Sequence, residues 1–154
     1  MTTIEDRIQR LEDLAAIHQL FIDYGRYLDA GNFEGYADLF HEDGEVRLGP
    51  MGTAKGRDNI KSLMTNIMTG RVGTTFHVIS SPMVTLDGDT ATSDVMWTVI
   101  ESTGTGGPQL AMVGRHVDDL RRRDGRWRFQ RRTGYLSLPL AAERLGSPRP
   151  RAGA

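Results

Sequence analysis

The 154-residue chain contains no cysteine, which excludes disulfides, thiolate metal sites and a cysteine nucleophile together. It has no apolar run of membrane-spanning length, and its start, Met1-Thr2-Thr3-Ile4-Glu5-Asp6-Arg7, lacks an apolar signal core. Nor is there an excess of one charge: 19 basic residues stand against 20 acidic ones, for a net charge of -1. Neither nucleic acid nor an anionic membrane therefore has an electrostatic handle. What remains is the composition of an ordinary folded domain, with 38% hydrophobic and 25% charged residues. The expectation is a reduced, soluble, cytoplasmic protein whose partners are small molecules or copies of itself.

The spacing of apolar residues predicts a helix from Ile4 to Leu28, opened by Thr3 with Asp6 three residues on as a capping box. Ile4, Ile8, Leu11, Ala15 and Ile22 fall on one stripe, while Ile17, Leu20, Tyr24 and Leu28 cover the other side. A helix apolar on both sides is expected to be buried on both, with Phe33 to Phe40 as its cover beyond the Ala30-Gly31-Asn32 turn. His41 to Gly44 reads as a turn, Glu45 to Leu48 as a short strand and Gly49 to Gly56 as a loop. A further helix opens at Arg57-Asp58, carries Ile60, Leu63, Met64, Ile67 and Met68, and ends at Gly70.

From Val72 the period changes to two, predicting strands over Gly73–Leu86, Thr90–Glu101, Gln109–Arg122 and Arg126–Leu138. Asp87-Gly88-Asp89, the Gly104–Pro108 loop and Arg123-Asp124-Gly125 supply the turns. Ser81-Pro82 marks a bulge or bend. Residues 1–140 form one domain, and the tail 141–154, rich in proline and arginine, is expected to be loosely held. Helices first and a long meander afterwards make an α+β fold, with helices on one face of a curved sheet.

Asp29 lands in the middle of the first of these stripes, where burying a carboxylate is costly unless it is paired. His77 lies in the strand pattern Thr74-Thr75-Phe76-His77-Val78-Ile79. An aspartate that orients and charges a histidine is a common way to build a general base. The alternative is that Asp29 only caps the helix and His77 is a satisfied core histidine. Strand parity sets Trp97 beside Val95 and Val99, and His116 beside Met112, Gly114 and Asp118. It also sets Arg131 beside Trp127, Phe129 and Tyr135. His18, with no sequence partner, reads as structural. The four histidines are too scattered for a metal motif, so no metal is expected. Several strands carry apolar residues on both faces, which predicts self-association.

The order Tyr24…Asp29-Ala30-Gly31-Asn32…Tyr36…Leu39-Phe40…Asp43-Gly44, then Gly56-Arg57-Asp58-Asn59-Ile60, Thr75-Phe76-His77 and Asp124-Gly125-Arg126-Trp127-Arg128-Phe129, resembles a known family. It is the SnoaL-like branch of the nuclear transport factor two-like superfamily, and the resemblance spans residues 3 to 138. It implies a cystatin-like α+β roll: a cone-shaped mixed or antiparallel sheet wrapped round the N-terminal helices, with a deep apolar pocket. Members include scytalone dehydratase, bile-acid 7α-dehydratase and hexachlorocyclohexane dehydrochlorinase, which use an Asp–His pair and no cofactor. By that resemblance Asp29 and His77 are the base pair and Tyr24 a pocket acid. Arg131 falls near a pocket-closing arginine, with Arg132 as the alternative register. Trp97, Met112, His116 and Phe129 are expected to bind substrate, and His116 stands where many members carry an aromatic. The implied function is a cofactor-independent lyase of the dehydratase or elimination type, acting on an apolar cyclic or aromatic molecule. Isomerase, cyclase and retro-aldol chemistry, or noncatalytic binding of a small molecule, remain open at this point. A homo-oligomer is expected, a trimer before a dimer.

Overall fold

Thr3 and Asp6 form the expected capping box, each side chain accepting from the other's backbone N–H, at 3.1 and 2.9 Å. The helix they open, α1 (Ile4–Ala30), stops at Gly31, whose φ of 69° is left-handed. The computed structural model describes residues 2–102 and 104–138, so the expected tail over 141–154 lies outside the described residues. After α1 come α2 (Phe33–Asp38), β1 (Phe40–Arg47), β2 (Thr53–Lys55), α3 (Arg57–Met68), β3 (Thr75–Asp87), β4 (Thr90–Ser102), β5 (Pro108–Arg123) and β6 (Arg126–Leu138). The six strands form one mixed sheet in the order β2-β1-β6-β5-β4-β3, open at both edges. Only β1 and β6 run parallel; the other neighbours are antiparallel.

Three expectations need correction. His41 to Gly44 is not a turn but part of β1, which runs on through a register shift against β6 between Phe40 and Glu45. The segment 49–56 is not a plain loop, since it holds a single 3-10 turn and the edge strand β2. More important, α1 is buried on one face alone. Ile17, Leu20, Phe21, Tyr24 and Leu28 face the core, whereas Ile4 and Leu11 are 68% and 67% exposed and Ile22 is 48% exposed. The reason lies in where the cover sits: α2 packs Tyr36 against Tyr24, with ring centroids 5.2 Å apart, on the face already turned to the sheet. The first turns of α1 find no second layer. Beneath α1, Tyr36, Phe40 and Phe129 form a continuous aromatic contact, with centroids 5.6 and 5.4 Å apart. Full burial of each such ring contributes roughly 1.5–3 kcal/mol.

Bulges decide which side chains face the helices. The expected one at Ser81-Pro82 is present as a register shift between Ser80 and Met83, with Ser81 at φ 51°. A second, between Val99 and Ile100, turns Leu110 outward while Met112 points in. A third shifts the β5–β6 register between Asp119 and Leu120, leaving Gln130 as the extra residue. Parity reverses there, so that Trp127 and Phe129 are followed on the inner face by Arg132 instead of Arg131.

Gly114 lies opposite Trp97 in the β4–β5 ladder, and a Cβ at this position would overlap both the Trp97 indole and the Tyr135 carbonyl oxygen. Gly114→Ala should therefore cost about 3 kcal/mol by overpacking. Urea unfolding should show the loss, together with a shifted Trp97 fluorescence; an unchanged midpoint would contradict this packing.

Candidate active site

Asp29 and His77 are brought together by the junction of α1 with the edge strand β3. Gly25, one turn before Asp29, lets the helix approach: a Cβ there would already lie 3.2 Å from Ile79 and 3.4 Å from the His77 carbonyl oxygen. Asp29 then accepts two kinds of hydrogen bond from one residue. The backbone N–H of His77 donates to its two carboxylate oxygens at 3.1 and 3.0 Å. The ring Nδ1 of His77 lies 2.6 Å from Oδ1. Because β3 is the last strand of the sheet, that N–H has no neighbouring strand to receive it. Asp29 thus caps an open sheet edge and fixes the imidazole at once. With Nδ1 committed to the carboxylate, Nε2 is the nitrogen left to act on a ligand.

His77 faces a cavity of about 480 Å³ enclosed by α1, α3 and the inner face of β3–β6. Its walls are apolar, with Leu28, Met64, Met68, Val99 and Met112 among them. Trp97 lies along one side. Tyr24 and His116 also line the cavity, with the Tyr24 hydroxyl 3.4 Å from His116 Nε2 and the rings meeting edge to face at 5.1 Å.

Below these two rings lies a charge that meets no solvent. The Arg132 guanidinium donates from Nε and Nη2 to the two oxygens of Asp118 at 2.7 and 2.8 Å. Ser93 donates to the same carboxylate at 2.8 Å. Arg132 also stacks over Phe129 and Tyr24, with its carbon 4.0 and 4.3 Å from the ring centroids. These charges and the depth of burial set the titration of the neighbours. Burial pushes Tyr24 above the ordinary tyrosine range, although the Arg132 charge pulls the other way. Burial, then the charges of Arg132 and His77, hold His116 well below the usual histidine range. Both groups are therefore neutral near pH 7, which suits Tyr24 to proton donation and His116 to hydrogen bonding.

The structure gathers most of the residues singled out in the sequence and sets two apart. Asp29 and His77 are paired, and Tyr24, Trp97, Met112 and His116 line the same cavity as His77. Arg131 does not join them: it lies on the outer face, 46% exposed, paired with Glu45 and Asp119 at 3.2 and 3.4 Å. The Gln130 bulge puts Arg132 inside in its place. Phe129 is fully buried in the core under Arg132 and is not part of the cavity wall. Asp118 and the rim residues Arg71 and Glu101 escaped the sequence reading, although parity already set Asp118 beside His116. Among the described residues no three His, Asp or Glu side chains cluster as a metal site would require.

The model of a SnoaL-like domain matches residues 9–133. Among solved structures, a nuclear transport factor two-like protein with a cystatin-like fold from Novosphingobium aromaticivorans is 29% identical, with a TM-score of 0.79 over 93% of this chain and 95% of that one. A scytalone dehydratase-like protein from the same organism is 28% identical, with a TM-score of 0.76 over 94% and 97% of the two chains. Hexachlorocyclohexane dehydrochlorinase from Novosphingobium barchaimii shares the fold at 22% identity, with a TM-score of 0.75 over 86% and 91%. No curated protein sequence matches the chain.

The state of His116 has a measurable consequence. In the folded chain it stays neutral at pH values where the unfolded chain takes up a proton. Stability from this group is therefore full at neutral pH and declines as pH falls through roughly 6.5, by up to about 1.4 kcal/mol per unit. His116→Phe should lose less stability than the parent between pH 7.5 and 5.5, as measured by urea unfolding. Identical pH dependence in the two proteins would contradict this assignment.

Proposed function

The chain belongs to the SnoaL-like family, and within it we propose that this member is a cofactor-independent lyase of the dehydratase or elimination type, acting on an apolar cyclic or aromatic molecule. The observation that carries the reading is the 2.6 Å contact of His77 Nδ1 with Asp29 at the wall of an apolar cavity. Asp29 keeps the proton on Nδ1, so the Nε2 lone pair is the base. It removes a proton from a carbon made acidic by a neighbouring electron-withdrawing group. The electron pair of that C–H bond forms the new double bond, or first an enolate, and the leaving group departs with the electrons of its own bond. Asp29 stabilises the imidazolium that results. The Tyr24 hydroxyl donates a proton to the departing oxygen. Arg132, stacked on the Tyr24 ring at 4.3 Å, stabilises the developing phenolate charge.

Apolar side chains on the outer face of β3–β5 support assembly into a homo-oligomer, a trimer in our reading. Phe76, Met96 and Leu110 are 61%, 56% and 52% exposed there.

Proton abstraction can be tested without knowing the leaving group. With 2-tetralone as an apolar cyclic probe in D2O, the protein should accelerate deuterium incorporation next to the carbonyl. His77→Ala should return the rate to that of buffer, and Asp29→Asn should lower it by at least about 10²-fold. Tyr24→Phe should change exchange little, because no group leaves. Exchange that survives His77→Ala would remove His77 as the base, and a wild-type rate equal to buffer would overturn the reading. For the assembly, light scattering should give a multiple of the 17.1 kDa chain mass; a monomer at micromolar concentration would rule it out.

A further inference from the structure

Arg71 and Glu101 are the only arginine and the only carboxylate side chain among the described residues that line the apolar cavity. They meet in a single contact, Nη2 to Oε1, of 3.5 Å, and each is about one-third exposed, which puts them at its rim. The site is built from below. The backbone carbonyl of Arg71 accepts from the Thr74 N–H at 3.0 Å, from the Thr74 hydroxyl at 2.9 Å and from the Thr75 hydroxyl at 3.4 Å. Arg71 N–H donates to Met68 O at 2.9 Å. The turn between α3 and β3 therefore holds the root of this arginine firmly, while its guanidinium has one long, solvent-weakened partner.

We propose that Arg71 receives a carboxylate of the substrate and that Glu101 steadies the guanidinium until that carboxylate displaces it, so that the substrate is an apolar ring bearing a carboxylate. The proposal rests on the proton-abstraction reading for the direction in which the ring points, and not for the binding itself. Two observations support it. Glu101 is opposite Thr75 and Val99 opposite His77 in the β3–β4 ladder, so the rim pair and the base lie on one face. Thr75 and His77 are two residues apart, about 7 Å, which is the span of one substituted ring. A ring lying against Trp97 and Met112 with its carboxylate at Arg71 thus brings its far side to His77. Second, the planar guanidinium fork matches a carboxylate in two parallel hydrogen bonds, which its present contact with Glu101 does not make. That unused pair of donors places Arg71 and not Glu101 in the role of receptor.

The test uses calorimetric titration with 2-naphthoate and its neutral isostere 2-naphthamide. The wild-type protein should bind naphthoate about tenfold or more tightly than naphthamide. Arg71→Gln should abolish that preference and leave naphthamide binding unchanged, and Arg71→Lys should keep part of it. Glu101→Gln should tighten naphthoate about threefold by removing the competing carboxylate. His77→Ala should retain the full preference, so a failure of the base assignment and a failure of the carboxylate site give different results. Equal binding of the two probes, a preference that survives Arg71→Gln, or no binding of either at millimolar concentration would each overturn the proposal.

Discussion

Arg132 carries its charge into an interior where none of its side chain meets water, and much of the core is arranged to make that tolerable. An isolated guanidinium at such depth would cost several kcal/mol. The bidentate contact with Asp118, the Ser93 hydroxyl on the same carboxylate and the faces of Phe129 and Tyr24 together replace part of the lost hydration, while Nη1 meets no hydrogen-bond partner among the described residues. Each of those groups is fixed in turn by its service to Arg132. Tyr24 is held over the cation, Phe129 beneath it, and Asp118 in register with Arg132 across the β5–β6 ladder. The polar floor of the cavity is consequently rigid, and Tyr24 and His116 inherit their position from it.

The cavity is divided by chemistry. Its walls offer shape and dryness; its floor offers a hydroxyl and a neutral imidazole; one edge offers His77, held from behind by Asp29, and the rim offers Arg71 and Glu101. A ligand that fills the apolar middle can be addressed by a polar group on each side. An orderly placement of this kind suits a reaction in which a proton leaves one side of a molecule while a substituent leaves another.

Much of the fold is legible in the sequence because its signals are local. The Thr3–Asp6 box, the change of period after Val72, the glycine turns and the Ser81-Pro82 bulge each depend on a few neighbouring residues. The residue types of Asp29 and His77 also suffice to single them out, but the apolar stripe is not what buries the acid. The stripe that made Asp29 look buried, Ile4 through Ile22, is largely exposed. What the aspartate answers is the unpaired N–H of an edge strand, a feature of sheet order that no local pattern carries. Arg131 and Arg132 could not be separated for a related reason. The one extra residue at Gln130 reverses parity, and nothing in Arg128-Phe129-Gln130-Arg131-Arg132 announces it. Arg71 and Glu101 come from distant segments and meet only across the cavity mouth.

The meeting of Asp29 with the His77 N–H has a consequence for self-recognition. An uncovered strand at the end of a sheet is a template on which another chain can add, the first step of runaway association. Here the same carboxylate that would support proton transfer also occupies the donor by which such addition would begin. Selection for chemistry and selection against aggregation then act on a single side chain. A lineage that gave up the reaction would still have grounds to keep the acid.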